Sequence, residues 1–529
     1  MNSTHSDAEK AKHDTDIEHE GESIMSALEL RRPNDEGDSL DDRDLEKAIT
    51  QPDITGHEPA TKTMTAQDWD GPDDPENPNN WSMGKKAFHV GAVASLCFVV
   101  TAGSSMITPA TKDIEDQFHV SRTAAILSLS LFVLGLGLGP SIAAPMSEIF
   151  GRAVVYKVTA PAYMLFIMGA GFSKTFGGLL VCRFLAGAIG GPCLAIGAGT
   201  NADLFVLHKR AVPSALYIAA PFLGPGLGPV VGGFAAYYKG YRWTQWCTIF
   251  LSLIATILVW FTSETYKKII LKKRAKRFNI PPPASPSLTA FQFVKLLLTI
   301  TIFRPLKMLF TEPIVTLLTL YNSFTFSVLF AFFAAYPFVF MGEYHFNTWQ
   351  YGLAFLAIAL GVVLAALTGV LVDRFVYQPM HVRALKDGKI MVAPEHRLYS
   401  AMAGAFGVTI GLFWFAWTAR REVHWIVPIL AGIPFAWGNL CIFTSAAMYL
   451  LDVYGPLNGA SAMAANGLGR YTMGAVFPLF TVQMYTTLGT AWATSLLGFL
   501  SILMLPIPFV FFKFGPKIRG KSQFNTSKA

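Results

Sequence analysis

The sequence predicts an all-α integral membrane protein whose twelve transmembrane helices form two pseudo-symmetric six-helix bundles. Three observations predict this fold class. The 529-residue chain is 52% hydrophobic and only 15% charged, twelve long apolar segments follow residue 86, and a sequence pattern repeats between the two halves. A helix needs about 20 apolar residues to cross a bilayer core, so each apolar segment is long enough to span a membrane.

The first 85 residues differ in composition from the rest of the chain. Residues 1–80 hold 22 of the 35 acidic residues and 7 of the 42 basic ones, which gives them a net charge of −15 and leaves +22 on the remainder. A segment with so much charge and so little apolar content cannot bury a core. We therefore predict a disordered acidic tail over 1–85, and its polar start predicts no cleavable signal peptide.

The remaining chain divides into two halves of six predicted spans each. An N-terminal six-helix bundle covers 86–263, a basic central loop covers 264–312, a C-terminal six-helix bundle covers 313–513, and a short tail covers 514–529. The positions of the apolar segments set these boundaries. In chain order the predicted spans are 87–109, 124–146, 155–173, 177–199, 212–237, 244–263, 313–341, 350–372, 399–418, 424–449, 458–484 and 491–512.

Basic residues are unevenly distributed among the predicted loops. The central loop 264–312 holds ten Lys and Arg residues, whereas the six loops on the other side of the membrane hold seven together. Cytosolic loops carry the excess of basic residues, so the central loop is predicted to be cytosolic, and an even number of spans then places both termini there. The same distribution favours contact with a lipid bilayer over binding to nucleic acid.

The two halves repeat a charge pattern at the end of their second spans. Glu148 and Arg152 follow the second span of the chain, and Asp373 and Arg374 follow the eighth. Six-span halves repeated in this way are typical of transporters, in which the substrate site lies between the halves near the membrane midplane.

A glycine- and proline-rich run lies inside the fifth predicted span. Gly224, Gly228 and Gly232 recur every four residues, with Pro225 and Pro229 beside them and Gly233 at the end. A membrane helix tolerates such prolines, because neighbouring helices satisfy the carbonyls that they free. A stripe without side chains allows another helix to approach closely.

Four motifs, in order along the chain, resemble those of the major facilitator superfamily. The residues 74–81 read D-P-x-N-P-x-N-W, Glu148, Gly151 and Arg152 match a loop motif, and Arg183 begins an R-x-x-x-G motif. The fifth span matches the antiporter motif G-P-x-x-G-P-x-x-G-G. The resemblance covers residues 73 to about 520, and within the superfamily the sequence is most similar to the fungal twelve-span drug:proton antiporter group, which includes cycloheximide-resistance and polyamine exporters.

This resemblance implies the major facilitator fold and a plasma-membrane protein that exports amphipathic organic compounds by alternating access, coupled to protons. It implies a role of Arg183 in proton coupling. It also places the antiporter motif at the interface between the halves, so we expect the glycine stripe to contact a helix of the opposite half. In one departure from the group, Phe326 and Phe330 occupy a stretch of the seventh span where two tyrosines are usual.

Five charged or small residues at the span ends form a predicted gate. A carboxylate at a helix end can pair with basic residues or a helix N-terminus of the facing half, and such pairs would bias the equilibrium between two conformations. A static ion pair at each helix end is the alternative. The predicted gate consists of Glu148, Gly151, Arg152, Asp373 and Arg374.

Two arginines, and no carboxylate, lie well inside predicted spans. Arg183 is in the fourth span and Arg470 in the eleventh. An unpaired guanidinium is costly there, so each should face the bundle interior and find acceptors. For Arg470 a structural role and a substrate or coupling role both stay open. The lack of a carboxylate at the midplane counts against a dedicated polyamine site.

Polar and aromatic residues of the second half are the candidates for substrate contact. As a set they describe a large, mainly apolar cavity with few polar anchors, which suits an amphipathic organic compound. The candidates are Tyr321, Asn322, Tyr336, Trp414, Asn439, Asn466 and Arg470.

Several functions remain compatible with this fold. A proton-coupled exporter is favoured by the Gly-Pro run, over a polyamine or organic-acid transporter on the same fold. A transporter-like sensor is suggested only by the acidic tail. We find no phosphate-binding loop, nucleophile elbow or cluster of metal ligands, so we predict no enzyme activity, no metal and no cofactor. The predicted partners of this monomer are a small organic substrate, protons and the lipid bilayer.

Overall fold

The computed structural model describes residues 68–206, 211–281, 299–386, 392–522 and 524. Within these ranges all regular secondary structure is helical. The predicted disordered tail therefore lies mostly outside the described residues, over 1–67, and so does the middle of the central loop, over 282–298.

The first half consists of eight helices that make six membrane crossings. Ser82, Ser121 and Thr175 cap three of them, each accepting a hydrogen bond from the backbone amide three residues later. Gly191 and Pro192 interrupt the fourth crossing without ending it. The helices are α1 (Met83–Ser105), α2 (Thr111–Phe118), α3 (Arg122–Phe150), α4 (Arg152–Phe172), α5 (Phe176–Gly190), α6 (Pro192–Leu204), α7 (Ala211–Lys239) and α8 (Tyr241–Trp260).

Among the described residues, two α-helices lie between the halves and eight more form the second half. Prolines occupy the first turns of several of them, where their missing N–H has no helical partner in any case. The helices are α9 (Lys267–Phe278), α10 (Arg304–Thr311), α11 (Pro313–Tyr336), α12 (Thr348–Ala354), α13 (Leu356–Val372), α14 (Gln378–Lys386), α15 (Tyr399–Thr418), α16 (Ile426–Leu430), α17 (Gly432–Met504) and α18 (Pro506–Arg519).

Eleven helical stretches among the described residues are long and apolar enough to cross a membrane, and the last of them makes two crossings. This stretch, Asn458–Arg519, has 62 residues. A straight helix of that length would measure about 93 Å, three times a bilayer core of about 30 Å. It reverses at Gly489, as α17 does earlier at Gly455, where φ is 73° and 65°, values that favour glycine. The predicted twelve-span fold is confirmed.

Four spans join the two halves in two matching pairs. The helix α7 packs on α12 and α13, where the Pro229 carbonyl lies against Gly352. The helix α3 packs on the eleventh span, where Gly137 lies against Tyr471. Because the fifth and eleventh spans, like the second and eighth, hold equivalent places in their halves, this interface repeats the pseudo-symmetry of the sequence.

The contacts between the halves concentrate at one end of the bundle. We call the side that holds Met83 and Arg519 the tail side, and the opposite side the distal side. At the distal side Gln483 donates a hydrogen bond to Thr123 (2.7 Å), and Phe234 stacks on Trp349. Towards the tail side, a Cβ atom placed on Gly369 of α13 or on Gly467 of α17 would meet no atom within 4 Å. Direct contacts between the halves are thus present at the distal side, whereas these two glycines towards the tail side border open space.

Residues 68–82 do not belong to a disordered tail, although the sequence analysis placed them there. They pack on α9 around Arg274, whose side chain is only 3% exposed. Its guanidinium donates to both carboxylate oxygens of Asp74 (2.8 and 2.7 Å) and to Glu76 (2.7 Å), and it lies 3.2 Å from Asp70. The acidic motif is ordered because the basic helix α9 neutralises it.

The ion pairs at Arg274 make this docking dependent on pH. Burial by itself would raise the pKa of the Asp74 carboxyl, but hydrogen bonds from Arg274 and from two backbone amides outweigh burial and lower it. The pKa of Glu76 is lowered by its hydrogen bonds with Arg274 and Arg277, again against the effect of burial. Carboxyl groups with lowered pKa values stabilise docking above their ordinary pKa of about 4, and that contribution is lost as the pH falls through the lowered values.

We expect Arg274→Gln to release residues 68–82 from α9, because it leaves the buried Asp74 carboxylate without its cation. Breaking such a pair costs about 3 kcal/mol or more. Limited proteolysis of the purified full chain measures the effect, as faster cleavage between residues 68 and 82. Acidification of the parent protein below about pH 4 should act in the same direction.

Lys272→Gln is the matched control, since it removes a positive charge from an exposed position of the same helix. Equal cleavage rates for Arg274→Gln and Lys272→Gln would show that the segment is held by other contacts.

Candidate functional site

Arg183 lies in the centre of the first half and is completely buried. Its Nε donates to the Ser128 carbonyl (3.0 Å) of α3, and its two Nη atoms donate to the carbonyls of Gly103 (2.8 Å) and Ser104 (2.9 Å) of α1. The guanidinium also lies over the Phe132 ring, 4.2 Å from its centroid. Each nitrogen of this guanidinium has a backbone acceptor, so Arg183 holds α1, α3 and α5 together, and its role in proton coupling stays a prediction.

The glycine stripe of α7 faces the same stretch of α1. A Cβ on Gly224 would collide with Thr101 and Ala102, and one on Gly228 with Ser105 and Ala102. Gly232 lies against the backbone of Met106. The expectation that this stripe contacts the opposite half is therefore wrong. Small and hydroxyl side chains on α1 recur at the same spacing as the glycines, so the two backbones come into contact inside the first half.

A second face of α7 contacts the opposite half. Phe222, Gly226, Pro229 and Gly233 lie on this face, at the spacing of successive helical turns. A Cβ on Gly226 would lie 3.2 Å from the backbone nitrogen of Ala359, and one on Gly233 would lie 3.0 Å from the Thr348 carbonyl oxygen. The antiporter motif thus joins two interfaces: Gly224, Gly228 and Gly232 serve the first half, and Gly226, Pro229 and Gly233 meet the second.

Arg470 lies in the second half among aromatic rings. Its guanidinium is 4.8 Å from the centroid of Phe326, 4.4 Å from Phe443 and 4.5 Å from Tyr471. The side chain is 9% exposed, and its Nε has no hydrogen-bond partner among the described residues. Phe222 of the first half packs against Phe326 and Phe443, so the rings around Arg470 lie where the two halves meet.

Two asparagines lie one helical turn from this cluster. Asn466 precedes Arg470 by four residues on the eleventh span, and Asn322 precedes Phe326 by four residues on α11. Neither side-chain amide has a hydrogen-bond partner among the described residues, although both are buried. Thr319 and Ser323 of α11 approach the same part of the eleventh span, next to Gly469. Leaving such groups unpaired is costly, so this cluster is a candidate binding site.

Other predicted substrate residues lie elsewhere. Asn439 donates to the Thr325 carbonyl (3.2 Å) and so joins two helices. Tyr336 packs among aromatic rings towards the distal side, and Trp414 is 38% exposed. Tyr321 is completely buried and its hydroxyl has no partner among the described residues. The sequence analysis missed Phe222, Phe443 and Tyr471. Only Tyr471 had a signal, since it follows Arg470 directly.

The predicted gate residues of the first half form a network inside that half. Arg152 pairs through two nitrogens with Asp203, at the end of α6. Glu264 accepts hydrogen bonds from the backbone amides of Arg152 (3.0 Å) and Ala153 (3.2 Å), which places a carboxylate at the N-terminus of α4. Gly151 is needed beside it, because its φ is 97° and a Cβ there would collide with Glu264.

The equivalent network of the second half is centred on Arg397. Arg397 donates to Asp452 (2.8 Å) at the end of the tenth span and lies 3.9 Å from Asp373. Arg397 therefore takes the place that Arg152 has in the first half, whereas Arg374 is exposed. Glu148 is exposed as well. Among the described residues the ion pairs of Arg152 and Asp373 lie within one half, so the expected pairing across the halves is absent from this arrangement.

The similarity of this chain to known proteins extends over most of its length. The profile of the Major Facilitator Superfamily matches residues 93–478. The chain is 41% identical over 495 residues to Polyamine transporter 4 of Saccharomyces cerevisiae, an alignment that covers 89% of this chain and 74% of that relative.

Two further relatives carry names of other kinds. The multidrug transporter FLU1 of Candida albicans is 37% identical, with 86% of this chain and 75% of FLU1 covered. The citrinin biosynthesis cluster MFS transporter mrr1 of Monascus ruber is 37% identical, with 91% and 96% covered. Among solved structures, the proton:xylose symporter XylE has the same fold, with a TM-score of 0.57, 16% identity, and 82% of this chain and 97% of XylE covered.

We expect Gly228→Leu to reduce the yield of folded protein, because its side chain would separate α7 from α1 inside the first half. Overpacking of this kind costs about 1–3 kcal/mol or more. Size-exclusion chromatography of detergent extracts, followed by thermal unfolding, measures the folded fraction. Gly226→Leu should instead spare the first half and disfavour the arrangement in which α7 contacts α13.

Gly91→Leu is the control, because a Cβ at that position of α1 meets no atom within 4 Å. A folded yield of Gly228→Leu equal to that of Gly91→Leu would refute the close packing of α7 on α1.

Proposed function

The chain belongs to the major facilitator superfamily, and we propose that it exports amphipathic organic compounds across the plasma membrane in exchange for protons. It is a multi-pass membrane protein and a small-molecule transporter of this superfamily. Export of drugs, toxins or secondary metabolites is supported by its similarity to a multidrug transporter and to a transporter of a biosynthesis cluster.

The observation that carries the proposal is that the contacts at the distal side and at the tail side of the bundle differ. The halves contact each other at the distal side, whereas the described ion pairs at the tail side stay within each half. This is one of the two arrangements that alternating access requires. With the tail side in the cytosol, it is the arrangement that would accept a compound from the cytosol.

Export then requires the halves to lose their contacts at the distal side and to form new contacts with each other at the tail side. The face of α7 that holds Phe222, Gly226 and Gly233 has to separate from the second half when the distal side opens. Glu148, Arg152, Asp373 and Arg374 are placed where the tail-side ends of the halves would meet. We propose that they then pair across the halves and act as the gate. The protein is proposed to work as a monomer, since both halves lie in one chain.

Polyamine transport is the second candidate, favoured by the 41% identity to Polyamine transporter 4. A cationic substrate needs acceptors inside the membrane, and the described acids lie in loops or at helix ends. Several of those acids are already engaged, as Asp203 is with Arg152 and Asp452 with Arg397. The arrangement of charges therefore favours the exporter of amphipathic organic compounds.

We expect Arg183→Gln to abolish proton-coupled export, because it removes the three hydrogen bonds that hold α1 against α3 and α5. The measurement uses proteoliposomes that contain a pH-sensitive dye, in which addition of a transported compound drives proton movement. Arg183→Lys should restore little activity, since an ammonium group cannot reach both helices with a planar fork.

Lys174→Gln is the control, because it removes an exposed cation next to the same helix. Normal substrate-driven proton flux in Arg183→Gln, at equal amounts of folded protein, would exclude Arg183 from the coupling mechanism.

We expect both termini to lie in the cytosol, from the excess of basic residues in 264–312. In sealed right-side-out plasma-membrane vesicles, external protease should leave an epitope at residue 1 intact, and detergent should make it accessible. Removal of the epitope without detergent would contradict this topology.

A further inference from the structure

We infer that Arg470 is the centre of a binding site for an anionic group, so that the transported compounds are amphipathic organic acids in their ionised form. The inference rests on the proposed function, because it takes the space between the halves as the path of the transported compound. It goes beyond that function by naming the charge of the substrate and the residue that selects it.

The two arginines that lie well inside the membrane spans, Arg183 and Arg470, differ in how their donors are used. The guanidinium of Arg183 gives each of its nitrogens to a backbone carbonyl of α1 or α3. The guanidinium of Arg470 contacts three aromatic rings, and its buried Nε has no hydrogen-bond partner among the described residues. Aromatic faces stabilise a cation, but they accept none of its directed N–H bonds in the way a carboxylate does. The backbone thus occupies all three nitrogens of Arg183, whereas Arg470 keeps a buried donor for a ligand.

The charge of the surrounding helices selects the sign of that ligand. Arg183 and Arg470 are both positive, and the carboxylates of the described residues lie at helix ends or in loops. Of these, Asp203 pairs with Arg152, Glu395 pairs with Arg519, and Asp452 pairs with Arg397. The central layer therefore carries positive charge that is not balanced by a protein group. In a medium of low dielectric constant this charge attracts an anion and repels an ammonium group.

The neighbours of Arg470 can complete the site for an acid with an apolar body. The planar guanidinium fork matches a carboxylate with two parallel N–H bonds. The unpaired amides of Asn322 and Asn466 lie one helical turn away and can donate to further oxygens. Phe326 and Phe443 offer apolar ring surface beside the guanidinium. These groups together suit a compound with one acidic and one aromatic end.

The site also lies where movement of the halves changes its walls. Phe222 belongs to the first half, and its ring centroid is 5.0 Å from that of Phe443. Tyr471 packs against Gly137, which is also in the first half. When the halves separate at this level, two supports of the aromatic cluster withdraw and the guanidinium becomes accessible. Binding of an anion at Arg470 is thereby linked to the contact between the halves.

The test compares three compounds that share an apolar body and differ in charge. Naphthylacetate, naphthylacetamide and naphthylethylamine are titrated into the purified full chain in nanodiscs, and binding is measured by isothermal calorimetry. We expect naphthylacetate to bind about tenfold more tightly than the neutral amide, and the amine to bind most weakly. Equal affinity for the three compounds, or preference for the amine, would overturn the inference.

Two variants assign the preference to Arg470. Arg470→Gln should lower the affinity for naphthylacetate about tenfold and change that for naphthylacetamide by less than about twofold. Asn466→Asp adds a carboxylate one turn away and should exclude naphthylacetate while admitting naphthylethylamine. The control is Lys513→Gln, which removes an exposed cation of α18 and should change neither affinity. A preference for the acid that survives in folded Arg470→Gln and Asn466→Asp would place the selection elsewhere.

A parallel efflux measurement separates this inference from the proposed function. If the acid binds at Arg470 but no naphthyl compound moves in proteoliposomes with a proton gradient, the anion site stands and proton-driven export fails. If the neutral amide and the amine are exported as well as the acid, export stands and the anion site fails.

Discussion

One turn of α1 carries the packing of the first half. The residues 101–106 receive two sets of contacts, from the Arg183 guanidinium on one side and from the glycines of α7 on the other. Arg183 holds the carbonyls of Gly103 and Ser104, and the glycines allow α7 to lie against Thr101, Ala102, Ser105 and Met106. The Arg183 motif and the glycine run of α7 are more than 35 residues apart in sequence, yet both contact this turn. The glycine stripe allows α7 to lie directly on a backbone whose carbonyls Arg183 holds in place.

Besides its contact with α1, the helix α7 also contacts the second half. The face of α7 opposite α1 contacts α13 through Gly226 and α12 through Gly233, and its Phe222 reaches the aromatic rings around Arg470. The glycines of α7 therefore allow close backbone contacts both inside the first half and between the halves. Close packing of this kind resists gradual deformation and favours two alternative arrangements of the halves.

Charge is handled differently at the ends and at the centre of the bundle. At the tail side each half closes its own network, with Arg152 and Asp203 in one and Arg397 and Asp452 in the other. The acidic segment 68–82 is held by Arg274 in the same way. At the centre, Arg183 is balanced by carbonyl dipoles, and Arg470 lies among aromatic rings without an ion pair to any carboxylate of the described residues. A transporter for cations would need the reverse of this central charge.

The sequence alone determined the number of spans, their approximate limits, the repeated halves and the position of Arg183 and Arg470 inside spans. It did so because a bilayer imposes length and apolarity on every crossing. It could not determine which residues meet. The partner of the glycine stripe depends on the rotation of α7 about its axis, which packing against α1 sets. Arg397 takes the place equivalent to Arg152, but α14 separates it in sequence from Asp373. No local sequence pattern therefore shows that Arg397 and Asp373 lie close together. The order of residues 68–82 depends on α9, about 200 residues away in sequence, because ion pairs form between groups that only the fold brings together.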